Sequence, residues 1–187
     1  MTVLEFSVQF HQPFLIRSGD ARGGLDAVAR HGTPLPASSL KGAMRAACLN
    51  VLGAPRGLVQ DIFGQEGRIG GLLGRGAWAW TDAGPSTAFL TWSRARNRID
   101  PEFGVVRPEA LTFSEEFWQV DKATFVVEKV MPLEPDVAKR HTTLLAGCAW
   151  GVTGLGSWRN RSMGSVTIRP KASIPQLADK LAEVLAE

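Results

Sequence analysis

Two kinds of hydrophobic period, arriving in a fixed order along the chain, constrain its fold more than any other feature. Residues 3 to 10 alternate, with Leu4, Phe6, Val8 and Phe10 on one face and Val3, Glu5, Ser7 and Gln9 on the other, which predicts a half-buried opening strand. The next sustained pattern is helical. Leu40, Ala43, Met44, Ala47 and Val51 recur at i, i+3, i+4, i+7 and i+11, so a helix is expected, with Ser38 as its N-cap and with Gly53 and Pro55 closing it. Residues 77–80 and 87–93 read as strands, 112–118 and 123–130 as a further strand pair, 135–150 as a second helix and 165–169 as a last strand. Ile174, Leu177, Leu181 and Val184 then return to helical spacing, an amphipathic C-terminal helix at about 174–186. Strand, helix, strands, helix, strand is the order of an α+β fold with a ferredoxin-like (RRM-like) βαββαβ core and inserted loops.

Glycine-rich stretches interrupt this order. Residues 17–33 contain Gly19, Gly23, Gly24 and Gly32 without a sustained period and read as a long, flexible excursion, a kind of loop that in a compact domain is usually functional or disordered. Residues 61–76 and 151–164 are also rich in glycine. Between residues 93 and 111 lies a candidate hairpin, whose Asp100-Pro101-Glu102-Phe103-Gly104 suits a turn ending in a left-handed residue. Arg94, Arg96 and Arg98 sit at i, i+2 and i+4 and would project from one face of its first strand; a charged edge strand that resists aggregation is the plainer use of such a comb.

At 187 residues the chain reads as a single domain over 1–187, long enough to hold a core without a disulfide or structural metal. With 44% hydrophobic residues and no apolar run near the roughly 18 residues of a membrane span, it is neither a disordered chain nor a membrane protein. The net charge of +3 says little about partners. The 15 Arg against 6 Lys lean toward phosphate and bases, which the guanidinium grips and stacks on, although a GC-rich genome produces the same bias. Cys48 and Cys148 form no CxxC, and the start of the chain shows no export signal, so a cytoplasmic location is expected. His11, His31 and His141 are far apart, and G-x-x-x-x-G-K-[ST], HExxH and GxSxG are absent, which gives little support to a self-contained hydrolase or oxidoreductase.

Residues 36–45, Pro-Ala-Ser-Ser-Leu-Lys-Gly-Ala-Met-Arg, place two hydroxyls and a lysine at a helix N-terminus, a good phosphate cradle. A cation there opposes the helix dipole, so something else should want it. This stretch closely resembles the P-[GA]-S-S-L-K-G signature of the RAMP superfamily of CRISPR-associated proteins. The segment from Arg96 to Asp100 with Gly104, Arg107 and Leu111 resembles the thumb hairpin of the backbone subunits of type III CRISPR effector complexes. Leu155 to Val166 is similar to the superfamily's glycine-rich loop, and Asp61-Ile62-Phe63-Gly64 to a short motif that follows the signature helix.

The resemblance implies a subunit that polymerises with copies of itself along a crRNA guide, beside other effector subunits, and drives its thumb into the guide–target duplex. It implies RNA-binding roles for Arg17, Ser38, Ser39, Lys41, Arg45, Arg94, Arg96, Arg98, Arg107, Arg159, Arg161 and Gly164, with Ile99 and Phe103 as the thumb's apolar wedge. In family members that cut target RNA an aspartate stands in a Gly-Gly-[IL]-Asp context before the signature helix. Gly23-Gly24-Leu25-Asp26 matches it, so Asp26 is the expected catalytic residue, binding Mg2+ or Mn2+ together with RNA phosphate, with His31 as a possible assistant in proton transfer. A turn aspartate is the alternative for Asp26. A non-catalytic filament subunit and, less in keeping with a single ferredoxin-like unit, an endoribonuclease that processes the guide precursor remain the alternative functions.

Overall fold

The computed structural model describes residues 2–20, 22–65, 68–69, 72–119 and 121–186. Four of the five strands of its main sheet run in the order β4-β8-β1-β9, all antiparallel to their neighbours: β1 (Val3–Phe10), β4 (Trp78–Trp80), β8 (Lys122–Lys129) and β9 (Val166–Pro170). Helix α1 (Ala37–Asn50) connects β1 to β4, and α3 (Pro135–Gly151) connects β8 to β9. This is a βαββαβ unit with its first and third strands central, the ferredoxin-like α+β fold that the order of periods predicts. A two-residue strand β5 (Gly84–Pro85) extends the pairing along β8, and α4 (Leu177–Ala186) packs on α3. Among the described residues no helix is long and apolar enough to cross a membrane.

The alternation in β1 explains how the layers join. Phe6, Val8 and Phe10 turn toward the helices and are buried, while Glu5, Ser7 and Gln9 stay on the open face. Phe6 stacks on Phe125 of β8 at 5.1 Å, and α1 and α3 close the core with Leu40, Met44, Leu144 and Leu145. Each such side chain contributes about 1.5–3 kcal/mol by leaving water. Cys48 of α1 and Cys148 of α3, which nothing in their spacing joins, form a buried disulfide with Cα atoms 5.1 Å apart. It closes a loop of 100 residues. Replacing both cysteines by alanine is therefore expected to cost about 2–4 kcal/mol, and a reductant should lower the urea midpoint of the unaltered chain but not that of the double variant.

Four local expectations change. Pro36, not Ser38, caps α1: its carbonyl accepts from Ser39 and Leu40 N–H (3.0 and 3.3 Å), and the Ala37 N–H goes to Asp82 Oδ1 (2.7 Å), leaving Ser38 inside the first turn. Residues Arg56–Phe63 form a short helix α2 after Pro55, with Val59, Ile62 and Phe63 buried, and its end meets the glycine-rich segment. A Cβ on Gly76 would lie 2.2 Å from the Ile62 carbonyl oxygen, so only glycine lets the returning chain, with its ribbon β2 (Arg68–Ile69) and β3 (Leu72–Leu73), pass so close. The strand read at 87–93 is β6 (Leu90–Arg96). Finally, β7 (Thr112–Trp118) pairs with β6 over seven residues, not with β8, which belongs to the main sheet.

Buried His141 accepts a hydrogen bond at Nδ1 from Trp78 Nε1 (3.0 Å). Burial holds its pKa below the ordinary imidazole value; nearby Asp61 offsets part of this and Arg140 adds to it. The unfolded chain thus takes up a proton at a pH where the folded chain does not. Stability is full above about pH 6.5 and is lost as pH falls below it. Urea midpoints should drop between pH 7 and pH 5, and drop less in His141→Gln.

Candidate nucleic-acid interface

A long ribbon of β6 and β7 rises from the sheet, and most of the candidate residues belong to it or to its root. At its tip the turn is built by Asp100. Its Oδ1 accepts from Glu102 and Phe103 N–H (2.9 and 3.4 Å), its carbonyl accepts from Gly104 N–H (2.9 Å), and Gly104 takes the left-handed conformation at φ 66°. Arg107 Nε donates to Asp100 Oδ2 (2.9 Å). The backbone N–H of Glu102 does most to hold the Asp100 carboxyl below the usual carboxylate range; desolvation opposes it, and the Arg107 side chain, the Phe103 N–H and the charge of Arg98 lower it by lesser amounts. This ordered turn presents Ile99 and Phe103 to solvent, 63% and 72% exposed. Arg98 is exposed beside them.

Below the tip the arginine comb divides. Arg96 donates through Nε and Nη2 to Glu116 Oε1 (3.1 and 2.7 Å), and its side chain is only 16% exposed against a fully buried carboxylate. Arg94 stands 3.9 Å from the other oxygen of Glu116, half exposed, with its guanidinium 5.8 Å from the Trp118 ring. Arg96 thus neutralises a buried acid, and Arg94 keeps a face toward solvent.

The 17–33 segment is not a flexible excursion at the ribbon's root. Ala27 bridges Ser114 in parallel, Arg17 bridges Ala29, and Ala27, Val28 and Ala29 are buried. Asp26 is fastened at both ends of its own residue: its N–H donates to the Phe113 carbonyl (2.8 Å), and its Oδ2 accepts from the Phe113 N–H (2.8 Å). The residue is exposed, and Oδ1 takes part in no hydrogen bond among the described residues. Two residues along β7 from Phe113, buried Glu115 accepts from the Ala29 N–H (3.2 Å) and faces His31 Nε2 (2.9 Å) and Arg22 Nη1 (3.5 Å). His31 steadies the loop through Glu115, and no hydrogen bond or ion pair joins it to Asp26 among the described residues.

The signature helix forms a second basic patch. Lys41 lies 5.2 Å above the Trp80 ring and, with Ser38, Gln65 and Arg75, lines a cavity of about 770 Å³ between α1, α2 and β4. Burial, then the neighbouring charge of Arg45, lowers the Lys41 pKa. Ser39 is half-buried in the first turn and Arg45 half-buried one turn on. Trp78 is core, and Trp80 is half-buried, stacked on Phe63 at 5.1 Å.

The glycine-rich loop supports the ribbon's root. Ser157 N–H donates to the Leu15 carbonyl (2.7 Å) and Gly164 N–H to the Pro13 carbonyl (2.8 Å), and a Cβ on Gly164 would lie 2.0 Å from the Leu155 oxygen. Gly164 is buried with its N–H taken, so it serves packing and offers RNA no donor. Trp158 carries Arg17 and Arg96 over its ring, at 5.1 and 5.5 Å. Arg159 is exposed; Arg161 ends a short 3-10 turn, and its side chain lies outside the described residues. Sequence reasoning missed Glu115, Glu116 and Asp82. The adjacent acids within the apolar Phe113 to Phe117 run were the available signal, because buried acids need cations.

No protein-family model matches the sequence, and no curated protein matches it. Solved structures do. The chain is similar in fold to one in a cryo-EM structure of the Type III-B Cmr-beta bound to cognate target RNA, at 11% identity and TM-score 0.67, over 96% of this chain and 99% of that one. It is also similar to one in the apo state of Type III-B Cmr-beta, at 11% identity and TM-score 0.65, over 94% and 98%.

Proposed function

We propose that this chain is an RNA-binding backbone subunit of a type III or type III-like CRISPR effector complex, that copies of it line a crRNA guide in the cytoplasm beside other effector subunits, and that it cuts bound target RNA at Asp26. One juxtaposition supports this reading. An exposed carboxylate, one oxygen of which takes part in no hydrogen bond among the described residues, stands beside Phe113 at the tip-ward end of the paired strands of a basic ribbon, in a fold shared along nearly its full length with a chain of a complex bound to target RNA.

The residues fit Mg2+ or Mn2+ only as part of a shared site. No three metal-ligating side chains come together among the described residues, so Asp26 would be the chain's one anionic ligand and RNA phosphate would complete the shell. When bound, the cation supplies charge neutralisation at the phosphate under attack. The protein's part is positional. The two backbone bonds to Phe113 fix the Asp26 carboxylate at the ribbon's edge, where the displaced nucleotide would lie. Attack by the neighbouring 2′-hydroxyl on phosphorus releases its proton and breaks the bond to the 5′-oxygen, leaving a 2′,3′-cyclic phosphate and a 5′-hydroxyl.

The bond from the Phe113 N–H also favours a second reading, in which Asp26 only fastens the loop and the filament does not cut. A guide-precursor nuclease centred on His31 fits less well, since that imidazole is held by Glu115.

The filament role is tested by expressing the chain with a CRISPR array: short RNAs of repeat-spacer origin should co-purify, and their absence would count against guide binding. Lys41→Ala and Arg45→Ala should weaken guide RNA about equally across sequences and lower the salt slope by about one unit each. A slope unchanged in both variants would remove their phosphate role.

A further inference from the structure

One face of the ribbon changes character along β6, reading Leu90, Trp92, Arg94 and Arg96 at every second position, opposite Trp118, Glu116, Ser114 and Thr112. Trp92 is the anomaly. It is 64% exposed, more than any other tryptophan of the chain, although this residue type ordinarily buries its large ring. Its cross-strand neighbour Glu116 is fully buried and paired with Arg96, so no exposed acid stands on this face. Arg94, one step toward the tip, leans back past that row: its guanidinium approaches Glu116 at 3.9 Å and the Trp118 ring at 5.8 Å. An open indole thus lies beside a half-exposed guanidinium, and exposed Arg98 follows toward the tip, where Arg107 is paired with Asp100 and Glu102 and Glu109 are exposed.

We infer that Trp92 is a stacking platform for one unpaired base of the RNA that the ribbon holds, with Arg94 on an adjacent phosphate. This rests on the RNA-binding reading above and adds a residue and a mode of contact to it. A flat aromatic face accepts any base, and a neighbouring cation holds the backbone without reading sequence, the combination that binds single strands. Exposed Trp and Arg also anchor protein partners. On the paired strands the exposed charge beside Trp92 is that of Arg94, which favours the polyanion.

The test uses the full chain with a labelled oligoadenylate and an abasic ribose-phosphate oligomer of the same length. Trp92→Ala should weaken oligoadenylate about 5- to 100-fold with an unchanged salt slope, and Trp92→Phe should keep most of the affinity. The abasic oligomer should bind Trp92→Ala and the unaltered chain alike. Arg94→Ala should lower the salt slope by about one. Equal binding of oligoadenylate by Trp92→Ala and the unaltered chain would overturn the stacking role alone. If the unaltered chain bound neither oligomer, the RNA reading would fall and the platform with it. Trp92→Ala that altered self-association in sedimentation without RNA, and left RNA affinity intact, would assign the face to a protein partner instead.

Discussion

Asp26→Asn, placed in the assembled complex with a complementary target, is expected to bind guide and target as the unaltered chain does and to cut at least about a hundredfold more slowly. Asparagine is the informative replacement because its side-chain oxygen can still accept from the Phe113 N–H, so the loop stays fastened to β7. What disappears is the negative charge and the second carboxylate oxygen, which bind a cation or take up a proton. Asp26→Ala removes the fastening as well and should add a loss of stability of about 1 kcal/mol, that of one hydrogen bond. If Asp26→Asn cuts normally while Asp26→Ala does not, the residue is a fastener and the non-catalytic reading gains. Cleavage products ending in a 2′,3′-cyclic phosphate would agree with attack by the neighbouring hydroxyl; a 3′-hydroxyl end would contradict it.

Arg96→Ala should cost about 3–5 kcal/mol of folding stability, the range for removing one partner of a buried ion pair. Its guanidinium makes two of the three short bonds to Glu116 Oε1, the third coming from the Ser114 hydroxyl (3.0 Å), and the second oxygen already lacks a hydrogen-bond partner. Truncation would strand a buried carboxylate at the ribbon's root. Adding Glu116→Gln to Arg96→Ala should recover part of the loss by removing the uncompensated charge. Arg94→Ala, half exposed and 3.9 Å from its partner, should cost no more than about 1 kcal/mol and act on RNA affinity. Urea unfolding of the three variants separates these effects. A stable Arg96→Ala with weakened RNA binding would return Arg96 to the nucleic-acid surface.

The same pair shows how far a sequence reaches. Spacing alone puts Arg94 and Arg96 on one ribbon face, because side chains alternate along any strand. That Arg96 turns inward depends on Glu116, twenty residues away across the ribbon, and no local period records that distance. The main fold was legible because β1 alternates and α1 repeats with clean periods. Strand pairing was harder: Ser114 to Phe117 are buried on both faces, so alternation in β7 does not name its partner, and the link to β8 is as short as a hairpin's. Helix α2 escaped notice because it has only eight residues and runs into glycines. At the site, the Gly-Gly-Leu-Asp context marked Asp26, but its grip on Phe113, the buried Glu115 beneath the loop and the disulfide between α1 and α3 all join residues more than eighty positions apart.

The repeated filament and its Asp26 chemistry meet in one measurement: the lengths of products from a target RNA cut by the complex in the presence of Mg2+ or Mn2+. Identical copies at equal spacing along a guide predict a ladder with a constant step, every rung of which is lost together when Asp26→Asn replaces all copies. A single cut position, products of irregular length, or a ladder that survives Asp26→Asn would contradict that combination.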